Sequence, residues 1–230
     1  MERLDEGSAV RKRVAVMQPY LFPYAGYYRL FAQVDEFVSF DCVQFPRRGR
    51  VHRTEVPGPD GVPEWLTLPL RRQPRDIRIR DLEFAHDARK TLDSRLGRLD
   101  WLADAKGPSA DRVRELLYGR LESVSDFLHR SIDLTLDLLG IHSRITRSST
   151  LDIDPALKGQ DRVIAIVNHI GGTDYLNSPG GRALYDHDVF SSHGLRLSFL
   201  SDYSGPFNHF LHALVTEPAD VLRDDICGYG

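Results

Sequence analysis

The chain has 230 residues, 41% of them hydrophobic and 27% charged, enough to bury one substantial core and to carry a helical insertion as well. No run reaches the ~18 consecutive apolar residues of a membrane span, and a formal net charge of −3 argues against tight, sequence-independent binding of duplex DNA, which relies on summed phosphate contacts. The two cysteines, Cys42 and Cys227, lack metal-ligand spacing and fit free thiols in a reducing compartment, so a cytoplasmic protein with no membrane partner is expected.

Residues 1–12 have no apolar periodicity and read as a disordered tail, leaving 13–230 as a single α/β domain. Val14-Ala15-Val16-Met17 is a short apolar run of the kind buried on both faces of a parallel sheet. It stops at Gln18-Pro19, and residues 18–26 then hold two prolines, three aromatic rings and a glycine. Helical spacing over 27–34 and a β-branched, aromatic strand at 36–40 complete a βαβ unit. Its first loop falls at the carboxyl end of a strand, where open α/β sheets place ligands.

Residues 41–64 form a long connection rich in Gly, Pro and Arg, with a hairpin or loop tip at 56–61 and a third strand expected at 65–70. Helical periodicity governs 81–140, with segments at 86–102 and 109–139, Ser109 as the N-cap and Gly140 as the stop. Strands at 144–150, 174–178 and 195–200 then alternate with a helix at 161–171. The expected fold is a Rossmann-like, mostly parallel sheet with a helical insertion or subdomain at about residues 81–140.

Three groups of residues carry chemistry. Gln18, Tyr20 and Tyr24 line a loop entering a helix N-terminus and are candidate substrate contacts, although neither His-Gly-His nor Gly-x-Gly-x-x-Gly is present. After the second strand come Asp41 and His52, candidates for taking a proton from an amine, and Arg53, a donor for an oxyanion. Gln44, Arg47 and Arg48 are candidate carboxylate or phosphate binders, while Arg50 reads as a solvated loop charge. Asn177, Gly180 and Gly181 form a strand-to-helix turn whose backbone a ligand can approach. No metal site is expected, the His209 and His212 pair being the nearest to a ligand spacing.

The strings Met17-Gln18-Pro19-Tyr20, Pro23-Tyr24-Ala25-Gly26-Tyr27, Asp41-Cys42-Val43-Gln44-Phe45, Arg48 to Arg53 and Trp65-Leu66-Thr67 together resemble the N-terminal signature of the WbqC-like family. The later segments 175–186 and 195–200 are similar as well. Cys42 stands where the family often has a second acid, and His52 where it usually has Asn. The resemblance implies biosynthetic transfer of an activated amino-acyl group, such as glycyl, to an amine of a sugar or natural-product intermediate. The donor it implies is a carrier protein thioester, an aminoacyl-tRNA or an aminoacyl adenylate, and the cofactor is left unknown. A nucleotide-dependent ligase or nucleotidyltransferase-like enzyme and a noncatalytic binding module are the alternatives.

Overall fold

Alternation along β1 (Arg13–Met17) sets the layering of the molecule. Val14 and Val16 project to one face, and Ala15 to the other. The computed structural model describes residues 11–58 and 60–228, so most of the expected N-terminal tail lies outside the described residues. After β1 the chain forms α1 (Ala25–Gln33), β2 (Glu36–Ser39), the pair β3 (Arg53–Pro57) and β4 (Pro63–Thr67), and four helices: α2 (Ala88–Leu96), α3 (Asp100–Asp104), α4 (Pro108–Tyr118) and α5 (Val124–Leu139). It continues through β5 (Arg144–Arg147), α6 (Gly159–His169), β6 (Asp174–Asn177), α7 (His187–Ser192), β7 (Arg196–Phe199), α8 (Phe210–Thr216) and α9 (Ala219–Cys227).

Five strands make one fully parallel sheet in the order β5-β2-β1-β6-β7. Chain progression therefore runs outward from β1 in one direction and resumes at β6 on its other side, which makes the β1/β6 boundary a topological switch point. Both faces are covered. Val14, Val16, Val38 and Tyr175 pack with Val163 and Ile166 of α6 and Phe190 of α7. Ala15, Phe37 and Leu176 share the other layer with Tyr28 of α1, Phe127 of α5 and Leu222 of α9. The Rossmann-like α/β expectation is met, and the described part of the sheet has no antiparallel member.

Several expectations need correction, among them the helix read over 86–102, which is α2 and α3 separated at residues 97–99. The strand read at 65–70 does not join the sheet: β4 pairs antiparallel with β3, closing a hairpin that takes up much of the 41–64 connection. Ser109 is not an N-cap, because Gly107, at φ 101, caps α4 and Pro108 occupies its first turn. The stretch 109–139 is not continuous, since the chain turns extended at Gly119 and α5 restarts at Ser123, whose side chain accepts from Asp126 N at 3.2 Å. The carbonyls of Leu117 and Gly119 at that break are taken by Arg89 at 2.9 and 2.8 Å. Leu92, Val113, Phe127 and Leu136 of these helices lie in the same hydrophobic cluster as Phe37 of the sheet, so α2–α5 do not have a core of their own. Among the described residues no helix is long and apolar enough to cross a membrane.

Lys12, assigned from sequence to the tail, belongs to the body of the protein. Its ammonium donates to Ile170 O at 2.6 Å and sits 2.7 Å from the Glu36 carboxylate, which is 2% exposed. Burial pushes the Glu36 carboxyl up, but donors from Lys12 and Thr146, with Arg144 nearby, bring it below its ordinary value overall. A carboxyl held low in the folded state stabilises it above the unfolded value, and that stabilisation is lost as pH falls through the folded value. Lys12→Met leaves this buried charge short of its main partner and should cost about 3 kcal/mol at neutral pH. Urea unfolding of both proteins as a function of pH checks this: the gap should narrow once acid protonates Glu36.

Candidate active site

The carboxyl ends of β1 and β6 lie side by side, and each opens into a loop singled out by the sequence. In the loop after β1, Phe22 is fully buried at φ 38, a left-handed conformation that a bulky aromatic adopts at a cost of about 1–3 kcal/mol. The β3–β4 side of the molecule holds it there. Leu21 N donates to Val51 O at 3.1 Å, and Thr54 Oγ1 donates to Phe22 O at 2.8 Å. Tyr27 Oη, from α1, donates back to Gln18 O at 2.7 Å.

This turn presents two half-buried tyrosines. The Tyr20 ring packs 5.3 Å from Tyr27, and the Tyr24 ring 5.9 Å from Tyr203. Gly26 makes the second pairing possible, because a Cβ there would collide with the Tyr24 ring and lie 2.7 Å from Tyr203 Cβ. Neither the Tyr20 nor the Tyr24 hydroxyl has a hydrogen-bond partner among the described residues. Burial raises both phenols, with Arg50 acting in the opposite direction on each. The hydroxyls thus remain protonated at neutral pH and can donate.

On the β6 side Asn177 is buried, its Oδ1 accepting from Ser178 N at 2.7 Å and its Nδ2 facing Gly181, where a Cβ would come within 2.6 Å. The Gly181 amide already donates to Ser178 O at 3.0 Å, so it is spent within the turn, whereas Gly180 is exposed with open space around it. Arg29 of α1, 1% exposed, fixes the neighbouring turn by donating to Ser201 O at 3.0 Å and Ser201 Oγ at 2.8 Å. Arg182 adds a bond to Leu200 O at 3.2 Å.

The residues after β2 are placed differently. Asp41 is 1% exposed and accepts from Ser148 Oγ at 3.0 Å, Ser149 N at 2.9 Å and Ser149 Oγ at 2.7 Å. Its oxygens brace β2 against the 3₁₀ turn Ser148–Thr150, a segment expected from sequence to extend the β5 strand, instead of facing the β1/β6 loops. Beside it, His129 bonds Ser39 Oγ at 2.9 Å through Nε2 and Ser125 O at 2.7 Å through Nδ1.

No hydrogen bond or ion pair joins Asp41 to His52, and the charges acting on His52 are Arg53 and Arg95. Burial, reinforced by those two cations, pushes His52 down to about 4, and its Nδ1 is buried without a partner. Arg53 is spent on Gly49 O at 3.0 Å and Arg48 O at 2.6 Å, with its guanidinium 4.3 Å over Trp65. Arg47 holds Gln73 O and Pro74 O, and Gln44 holds Arg75 O at 2.7 Å, while Arg48 is exposed.

Gln18, Tyr20 and Tyr24 thus follow one of the two adjacent strand ends at the switch point, and Gly180 and Gly181 the other, where Asn177 closes β6. Asp41 braces the end of β2, Arg53 braces the long loop, and the His52 ring packs against Phe45. Arg50, taken from sequence as a solvated charge, is the loop cation whose field reaches both tyrosines. Arg29 was missed altogether, although a lone arginine inside the apolar helix AGYYRLFAQ was the available signal. Both cysteines are free thiols, Cys42 buried and Cys227 exposed. No cluster of three metal-ligating side chains occurs among the described residues.

Residues 18–215 match the family described as the WbqC-like protein family. Over 200 residues the chain is 24% identical to an uncharacterized protein of Mycobacterium tuberculosis, an overlap covering 84% of each chain. No solved structure matches this chain.

A histidine held at about 4 in the folded state and at its ordinary 6.5 when unfolded binds more protons unfolded across that interval. Folding stability should therefore rise with pH from about 4 to 6.5, and His52→Asn should flatten that part of the profile. Imidazole titration by NMR, with the His52 resonance midpoint near the acid end, checks the cause directly.

Proposed function

This chain belongs to the WbqC-like protein family, and on that premise we propose that it is a biosynthetic acyltransferase that forms an amide. It passes an activated amino-acyl group, glycyl first among them, to the amine of a sugar or natural-product intermediate. The observation that carries this reading is the pair of un-ionised, half-buried tyrosine hydroxyls at the switch point, which no described residue satisfies. As the amine nitrogen attacks the acyl carbon, a C–N bond forms, negative charge collects on the carbonyl oxygen, and the bond to the leaving group then breaks. The nitrogen's proton departs with the leaving group or to solvent. Donors already aimed at the developing oxyanion are the largest contribution a protein makes to such a step.

In this proposal Tyr20 and Tyr24 supply those donors, whereas Arg53, read from sequence as the oxyanion donor, is engaged with Gly49 O and Arg48 O, and the Gly181 N–H with Ser178 O. Asn177 and Gln18 orient the substrates through their amides. Arg50 stabilises the charge that accumulates beside the tyrosines. Asp41 and Arg53 act as positioning residues for the loop. The donor is a carrier-protein thioester or an aminoacyl-tRNA, met in the cytoplasm. A nucleotide-dependent ligase or nucleotidyltransferase-like enzyme is the second reading, favoured by the strand order, since dinucleotides bind at the same switch point in sheets of this order.

Mass spectrometry separates these readings. The protein is incubated with an amino-sugar nucleotide and glycine as a carrier thioester, as glycyl-tRNA, or as the free acid with ATP. Transfer adds one glycyl unit to the acceptor, and only the ligase reading requires ATP cleavage with pyrophosphate release. Tyr20→Phe should lower turnover about a hundredfold without altering the circular dichroism spectrum. Unchanged turnover in that variant removes Tyr20 from the mechanism, and no product in any mixture favours a binding module.

A further inference from the structure

Two concavities adjoin along the carboxyl edge of the sheet, beyond β2, and Gln44 lines both of them. One, of about 320 Å³, lies between the 40–44 segment and the start of α6; Cys42 forms part of its wall, and Arg78, Lys158 and Arg162 line it. The other, of about 500 Å³, holds Arg47, Arg48 and Arg75. No carboxylate lines either of them, although the chain as a whole carries a net charge of −3. None of the six cations has an ion pair among the described residues, whereas Arg residues elsewhere, such as Arg71, Arg112 and Arg147, are paired within 2.7 Å.

Gathering like charges without counterions costs folding energy through mutual repulsion. Arg47 and Arg162 are tied by guanidinium donors to backbone carbonyls, which fixes their position but leaves their charge uncompensated. Arg162 Nε is buried without a hydrogen-bond partner. The apolar wall of Phe40, Val43 and Leu157 lowers the local dielectric and strengthens any ion pair formed inside.

From this arrangement we infer that the groove is a binding site for a phosphate ester or anhydride carrying two or more negative charges, with its diphosphate-like portion between Arg78, Lys158 and Arg162. A single carboxylate would leave most of the cations unneutralised, and paired guanidinium donors match phosphoryl oxygens. The site lies at the carboxyl edge beyond β2, on the same edge of the sheet as the β1/β6 crevice. It therefore adds a phosphorylated handle on donor or acceptor to the proposed reaction, on which it rests only for that connection.

Isothermal titration of the full chain with inorganic pyrophosphate and, separately, orthophosphate tests the site in the absence of any acyl donor. Pyrophosphate should bind saturably and more tightly than orthophosphate, and affinity should fall as salt rises. Arg78 and Lys158 are exposed and make no side-chain bond, so the double variant Arg78→Gln, Lys158→Gln should fold normally. It should weaken pyrophosphate binding by about tenfold or more. Lys106→Gln, between α3 and α4, should bind like the wild type. Absence of saturable pyrophosphate binding, or equal binding by the double variant, overturns the inference. Because turnover is not read, failure of amide formation leaves this result standing, and the reverse also holds. If pyrophosphate binds, uridine diphosphate and coenzyme A as competing ligands distinguish a nucleotide source from a pantetheine source.

Discussion

The candidate site depends on a turn held against its own conformational preference. Phe22 occupies a left-handed backbone state at no exposure to solvent, and the bonds from Thr54 to its carbonyl and from Leu21 to Val51 keep it there. Without the β3–β4 hairpin that supplies Thr54, the Phe22 carbonyl would lose its hydrogen bond and the strained turn its nearest restraint. Tyr20 and Tyr24 would then lose their half-buried setting. The long connection after β2 is thus a scaffold for the first loop as well as a carrier of charges, and its Arg47 and Arg53 donate to backbone carbonyls.

A second theme is how the molecule uses buried ionic groups. Glu36, at the start of β2, holds Lys12 just before β1, Asp41 braces the end of β2, and Arg29 ties α1 to the turn after β7. Each is nearly inaccessible, and each is met by several donors or acceptors, as a charge removed from water requires. Glu36 acts at the amino edge of the sheet, and Asp41 and Arg29 act at its carboxyl edge. The tyrosine hydroxyls and the cationic groove, by contrast, have polar capacity that the protein itself does not satisfy, and for that reason the functional proposals rest on them.

Much of this was legible in the sequence. The apolar run Val14 to Met17, the helix after Gly26, the strand at Phe37 and the later strands at Tyr175 and Leu197 follow from periodicity, and they specify a parallel α/β sheet. Loops at strand ends likewise pointed to Gln18, Tyr20, Tyr24 and Asn177. The tertiary partners could not be read. A β-branched, aromatic strand such as residues 65–67 carries no sign of whether it joins the main sheet or a hairpin, and a helix break at Gly119 depends on Arg89 arriving from another helix to satisfy the freed carbonyls. Asp41 looked catalytic because strand-end acids often are. Its commitment to Ser148 and Ser149 comes from residues more than a hundred positions away. Arg50 was underrated for the same reason, since its proximity to Tyr20 and Tyr24 exists only after the hairpin folds back.

The central claim is that ligand chemistry takes place at the β1/β6 switch point and not at the acid and histidine of the long loop. Diffraction from crystals soaked with a set of small primary amines and amides tests it most directly. The account predicts bound molecules between the 18–24 loop and the turn after Asn177, with an oxygen within hydrogen-bond reach of Tyr20 or Tyr24. Molecules gathering instead along the 41–53 loop beside Asp41 or His52, with none at the switch point, would contradict it.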